Sequence, residues 1–154
     1  MRGHNGHKGF SLVEVMVVLG ILAILAVMAV PNLFKYGPKQ RLMSAASDVQ
    51  GAINLARMAA IKGNATAVIQ FNTSTPGFTV FVDSNNNGSK DAGETLLRTG
   101  SFKSDINVAT GFAGNRVSFD GRGMASAAAN VTLQNATAGT KTIQVTVTGS
   151  SRML

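Results

Sequence analysis

The sequence predicts an α+β protein. A long N-terminal helix, first transmembrane and then amphipathic, packs on an antiparallel β domain of two small sheets. Three observations predict this. The run Val15 to Val30 carries no charge and is almost wholly apolar. Farther on, Leu42, Ala46, Val49, Ile53, Ala56 and Ala60 recur at spacings of 4, 3, 4, 3 and 4, one face of a helix. From Ala65 the apolar period falls to two, the signature of strands.

Residues 1–9 are short, polar and basic, and the positive-inside rule retains such a segment in the cytoplasm while the C-terminus goes outward. The stretch 10–30 spans about 31 Å as a helix at about 1.5 Å per residue. That matches a hydrocarbon core of about 30 Å. Gly20, Ala23, Ala26 and Ala29 lie inside it, and small residues let helices approach closely in lipid. Pro31 lacks an N–H, so a kink or local melting is expected there, with Gly37-Pro38 a second weak point.

The amphipathic part of the helix covers 31–63. Its stripe could mark a coiled coil, but its length suits the core-facing side of a helix laid on a sheet. Gly63-Asn64 is a natural C-terminal stop. In the remaining domain, 64–154, Ala67, Ile69 and Phe71 alternate with Thr66, Val68 and Gln70. Ser74-Thr75-Pro76-Gly77 reads as a turn into a second strand, Phe78 to Val82, giving a hairpin. Further strands are expected at Thr95–Phe102, Ile106–Ala109, Arg116–Asp120, Val131–Gln134 and Thr142–Thr148.

The junction Lys8-Gly9-Phe10-Ser11-Leu12-Val13-Glu14 places one carboxylate at the head of the apolar run. A carboxylate in hydrocarbon is costly and persists only with a partner. This junction resembles the class III signal of type IV pilins and type II secretion pseudopilins. The resemblance implies that prepilin peptidase cuts between Gly9 and Phe10 and methylates the Phe10 amine. It further implies that Glu14 meets that amine on a neighbouring subunit in a helical filament. Pro31 stands where many pilins carry a proline. The hairpin Phe81-Val82-Asp83 through Glu94-Thr95-Leu96-Leu97-Arg98 and the segment Val117-Ser118-Phe119-Asp120-Gly121-Arg122-Gly123 resemble the GspH/FimT-type minor pilins. No Ala-x-Ala site follows the apolar run, and a lipoprotein signal lacks its cysteine.

The chain has no cysteine, so disulfides, thiolate nucleophiles and cysteine-based zinc sites are excluded. Both histidines, His4 and His7, precede the expected cut, so the processed chain lacks the common triads and zinc sites and is not expected to be an enzyme. Formal net charge is +7, and losing Arg2 and Lys8 lowers it by two. The basic residues are scattered, which fits a mildly basic surface better than a polyanion site.

Two further patterns concern ligands. Asp83 to Glu94 matches the EF-hand loop pattern D-x-[DN]-x-[DN]-G-x5-E, with Asp83, Asn85, Asn87, Asp91 and Glu94 as candidate calcium ligands and Gly88 at the sharp turn. Its flanks read as strands rather than helices, and Asn/Asp/Gly loops are also good hairpin connectors, so the plain loop is preferred. Arg122, between two glycines, could reach phosphate from a flexible loop, and Arg152 in the tail could do the same. The Gly-Arg-x-Arg tail of some DNA-binding relatives is absent, and aromatic residues for base stacking are few. The expected function is therefore a minor pilin or pseudopilin of the bacterial inner membrane. Its rivals are a DNA-capturing minor pilin of a competence system and a plain single-pass protein with a periplasmic β domain.

Overall fold

The computed structural model describes residues 10–154, except the side chains of 28–35. The chain divides into two units, Met1–Tyr36 and Gly37–Leu154. One helix, α1 (Leu12–Gly63), accounts for the described part of the first unit and opens the second. Its first turn is held by the Ser11 carbonyl, which accepts from the N–H groups of Glu14 and Val15 at 3.0 and 3.2 Å. The backbone stays helical through Pro31 and through Gly37-Pro38, so the local melting expected at those positions does not occur. A proline removes only one rung of the hydrogen-bond ladder, so the helix can continue past it. The side chain of Pro31 lies outside the described residues, as does the whole of Gly9. Among the described residues no helix is long and apolar enough to cross a membrane. The final residues of the expected span, 28–30, have side chains outside that set.

In the second unit the predicted stripe is the buried face. Leu42, Ala46, Val49, Ile53, Ala56 and Ala60 are all 2% exposed or less. Ala45 and Ala52 join them. Five of these eight side chains are alanine, which brings the helix backbone close to the strands. The helix ends at Gly63, and Asn64 takes a φ of 44°, the left-handed conformation asparagine tolerates.

Eight strands follow: β1 (Thr66–Asn72), β2 (Gly77–Asp83), β3 (Leu96–Ser101), β4 (Ile106–Thr110), β5 (Arg116–Phe119), β6 (Ala129–Asn135), β7 (Gly139–Val145) and β8 (Ser151–Met153). They form two antiparallel four-stranded sheets, β3-β2-β1-β5 and β4-β6-β7-β8. The chain crosses to the second sheet at β4 and returns to the first at β5, so the two sheets are interleaved in sequence. The inner faces of both sheets and the α1 stripe share one core, with Ile69, Val80, Val117, Phe119, Leu133 and Ile143 fully buried.

The C-terminal region departs from expectation. The last predicted strand, Thr142–Thr148, lies three residues earlier, at Gly139–Val145. Thr146 to Ser150 form a turn in which the Gly149 N–H donates to the Thr146 carbonyl at 2.9 Å. Val147 is consequently 48% exposed instead of continuing the inner face with Ile143 and Val145. The segment read as a tail becomes β8, paired with β7 and docked on α1 through a 3.2 Å hydrogen bond from the Ser151 hydroxyl to Asn54 Oδ1.

Candidate functional site

Phe10 is 83% exposed at the start of the described chain, two residues before α1. Glu14 lies in the first turn of α1. A carboxylate there also meets the positive end of the helix dipole, a favourable interaction in its own right. Among the described residues Glu14 forms no ion pair. The apolar residues that follow, including Leu12, Met16, Leu19, Ile24 and Leu25, are all more than half exposed. A single chain therefore leaves this segment uncovered, and lipid or other helices must bury it.

The loop joining β2 to β3 does bring the five candidate calcium ligands together, but in a self-satisfied arrangement. Asp83, 2% exposed, accepts from the backbone N–H groups of Asn87 at 3.2 Å and Gly88 at 2.7 Å. Glu94 accepts from the N–H groups of Ser84 and Asp91 at 2.9 and 3.0 Å. The amide nitrogens of Asn85 and Asn87 donate to Asp91 Oδ2 at 2.8 and 2.6 Å. These amide bonds hold the Asp91 carboxyl below its ordinary range. Two side-chain donors thus point where a cation needs oxygen, and among the described residues no three Asp, Glu, His or Cys side chains converge as a metal group.

Arg116, which the sequence did not single out, completes this loop. Its guanidinium donates to the Gly88 carbonyl at 3.0 Å. The packing is tight enough that a Cβ at Gly88, whose φ is 75°, would meet it at 2.9 Å. No local sequence signal marks Arg116. Only the pairing of β5 with β1, which puts it opposite Gln70, carries it to the loop. Beneath lies a cleft of about 520 Å³ whose walls include Thr66, Asn87, Gly88, Arg116 and Ser126.

The two candidate nucleic-acid arginines are not brought together by any contact. Arg122 sits in a closed turn, not a flexible loop. Asp120 accepts from the N–H groups of Arg122 and Met124 at 3.0 and 2.9 Å and takes the Arg122 guanidinium in two further bonds of 3.1 and 3.0 Å. The Met124 N–H foremost, then Arg122, holds the Asp120 carboxyl below its ordinary range. The flanking glycines are packing positions. A Cβ at Gly121 would meet Asn64 Oδ1 at 2.4 Å, and one at Gly123 would meet Ile61 Cδ1 at 2.6 Å. Arg152 lies on β8 opposite Gln144, exposed.

These features coincide with an established family. Residues 45–151 match the family described as Type II transport protein GspH. Residues 4–30 match the prokaryotic N-terminal methylation motif. The chain belongs to the GspH family. Its fold is similar to that of the type IV minor pilin FimU of Pseudomonas aeruginosa, with a TM-score of 0.63 at 17% identity over 77% of this chain and 92% of that one. It is also similar to the minor pseudopilin EpsH of the Vibrio cholerae type 2 secretion system, with a TM-score of 0.59 at 12% identity over 74% and 96%. No curated protein matches the chain significantly. This GspH-family chain is a minor pilin or pseudopilin subunit, a structural component. Its methylation motif implies processing by prepilin peptidase and assembly with other pilins.

Proposed function

We propose that this chain enters the bacterial inner membrane as a prepilin, is cut between Gly9 and Phe10, and joins a type IV pilus or type II secretion pseudopilus through α1. The observation that carries this reading is the head of α1. An exposed Phe10 is followed within one helical turn by Glu14, and then by an apolar surface that the chain itself does not cover.

The chemistry is electrostatic and hydrophobic rather than catalytic. Cleavage creates an amine at Phe10. An unpaired carboxylate costs about 2.5–3.5 kcal/mol on insertion scales at the centre of a membrane helix, and Glu14 lies at the head of the span, where that figure is an upper bound. The Phe10 amine of a neighbouring subunit, docked against Glu14, offsets that cost and fixes the axial register of the two helices. The β domain then faces the periplasm. Arg122 is engaged by Asp120, which favours the structural reading over DNA capture.

The test is intact-mass spectrometry of the chain extracted from membranes of a host with the matching peptidase. The expected mass is that of a chain beginning at Phe10 with one added methyl group. An uncut chain would sink the proposal and leave a plain single-pass membrane protein.

A further inference from the structure

Asn87 is followed by Gly88, the pairing in which an asparagine side chain is most open to attack by the next backbone nitrogen, because glycine has no side chain in the way. The other such pair, Asn5-Gly6, lies outside the described residues. We propose that Asn87 is a latent deamidation site, silent while the Asp83–Asp91–Arg116 network holds the loop and released when the loop opens.

The reaction needs only water. The Gly88 nitrogen loses its proton and bonds to Asn87 Cγ, and Nδ2 leaves as ammonia, closing a five-membered succinimide. Water then opens either carbonyl, giving aspartate or isoaspartate at position 87. No electrons change hands.

In the folded loop the nucleophile, the leaving group and the amide oxygen are all tied elsewhere. The Gly88 N–H donates to Asp83 Oδ2 at 2.7 Å. Asn87 Nδ2, the leaving group, donates to Asp91 Oδ2 at 2.6 Å, and Asn87 Oδ1 accepts from the Ser89 N–H at 2.7 Å. The Gly88 carbonyl is held by Arg116, whose guanidinium fills the space a Cβ at Gly88 would take. Asn87 is nonetheless exposed, so water is at hand once these bonds part. The rate therefore follows the population of the open loop.

The product also differs from the reactant in a way the loop feels. A carboxylate at 87 in place of the amide removes a donor to Asp91 and sets two like charges against each other. Deamidation thus holds open the loop whose opening allowed it, at the wall of the cleft lined by Asn87 and Arg116.

The experiment uses the full chain in detergent micelles, incubated at neutral pH, beside the same chain in strong denaturant. Peptide mapping would separate the asparagine, aspartate and isoaspartate forms of the 83–94 segment. The expected result is deamidation at Asn87 at least about tenfold slower in the folded chain, with Arg116→Gln falling between the two. Equal rates at Asn87 in folded and unfolded chains would overturn the proposal, and so would a faster reaction in the unfolded chain at any asparagine not followed by glycine. A folded Arg116→Gln chain reacting at the parent rate would remove Arg116 from it.

Discussion

At the scale of single residues, Glu14 and Gly149 carry the most specific consequences. Glu14 has no cation among the described residues and sits on a surface that other helices or lipid must cover. Glu14→Ala is expected to be cleaved and methylated normally, since the bond cut lies four residues before it, but to enter filaments poorly. Comparing processed mass with the amount recovered in sheared filaments separates the two steps. Equal recovery of parent and variant would remove the assembly role. Gly149 has a φ of 76°, and a Cβ there would lie 2.0 Å from the Gly123 carbonyl oxygen, the same oxygen that accepts from Arg57 Nε at 3.1 Å. Gly149→Ala should therefore destabilise the β domain by more than about 1 kcal/mol, read as a lower urea midpoint. An unchanged midpoint would mean the turn relaxes freely.

At the scale of elements, the hydrogen bonds of the 83–94 loop favour the connector over the metal site. Each of its carboxylates accepts N–H donors, and Asn85 and Asn87 present nitrogen, not oxygen, to Asp91. Calcium would have to turn both amides and displace backbone donors already in place. Millimolar calcium followed by chelator is accordingly expected to leave the melting temperature of the domain within about 1 °C, well under the 4–8 °C that about 1 kcal/mol moves a domain of this size. A calcium-dependent rise larger than that would establish the EF-hand reading. The same scale shows how β8 comes about. Three residues suffice because Ser151 binds Asn54 of α1, so the short strand is held from two sides.

At the scale of the whole domain, carboxylates near the surface join segments distant in sequence. Asp105 takes the Arg41 guanidinium at 3.0 and 2.7 Å and the buried Asn135 amide at 3.0 Å, linking α1, the β3–β4 connection and the end of β6. Arg41 foremost holds the Asp105 carboxyl below its ordinary range, as hydrogen bonds do for Asp91 and Asp120. A carboxyl depressed in the folded state contributes stability that is present above its unfolded value, near 3.9, and is lost as pH falls through the lower folded value. The urea midpoint of a fragment beginning near Lys39 should thus be flat from about pH 8 to 5 and fall below about pH 4. Asp105→Asn should flatten that fall. A midpoint independent of pH down to 3 would mean these contacts do not persist in solution.

The helix, its buried stripe, its stop at Gly63-Asn64 and the first hairpin were legible in the sequence, because each rests on period, turn chemistry or a left-handed residue close at hand. The N-terminal methylation motif was legible for the same reason, since it is one contiguous run of residues. What the sequence left open was set by contacts between distant segments. Arg116 reaches Gly88 only because β5 lies beside β1. Arg122 is engaged because its guanidinium bonds back to Asp120, and its flanking glycines pack against Asn64 and Ile61. The tail becomes a strand because α1 offers Asn54. Local chemistry specifies which elements form, while which side chains meet depends on sheet order and register, and those are decided only when the whole core closes.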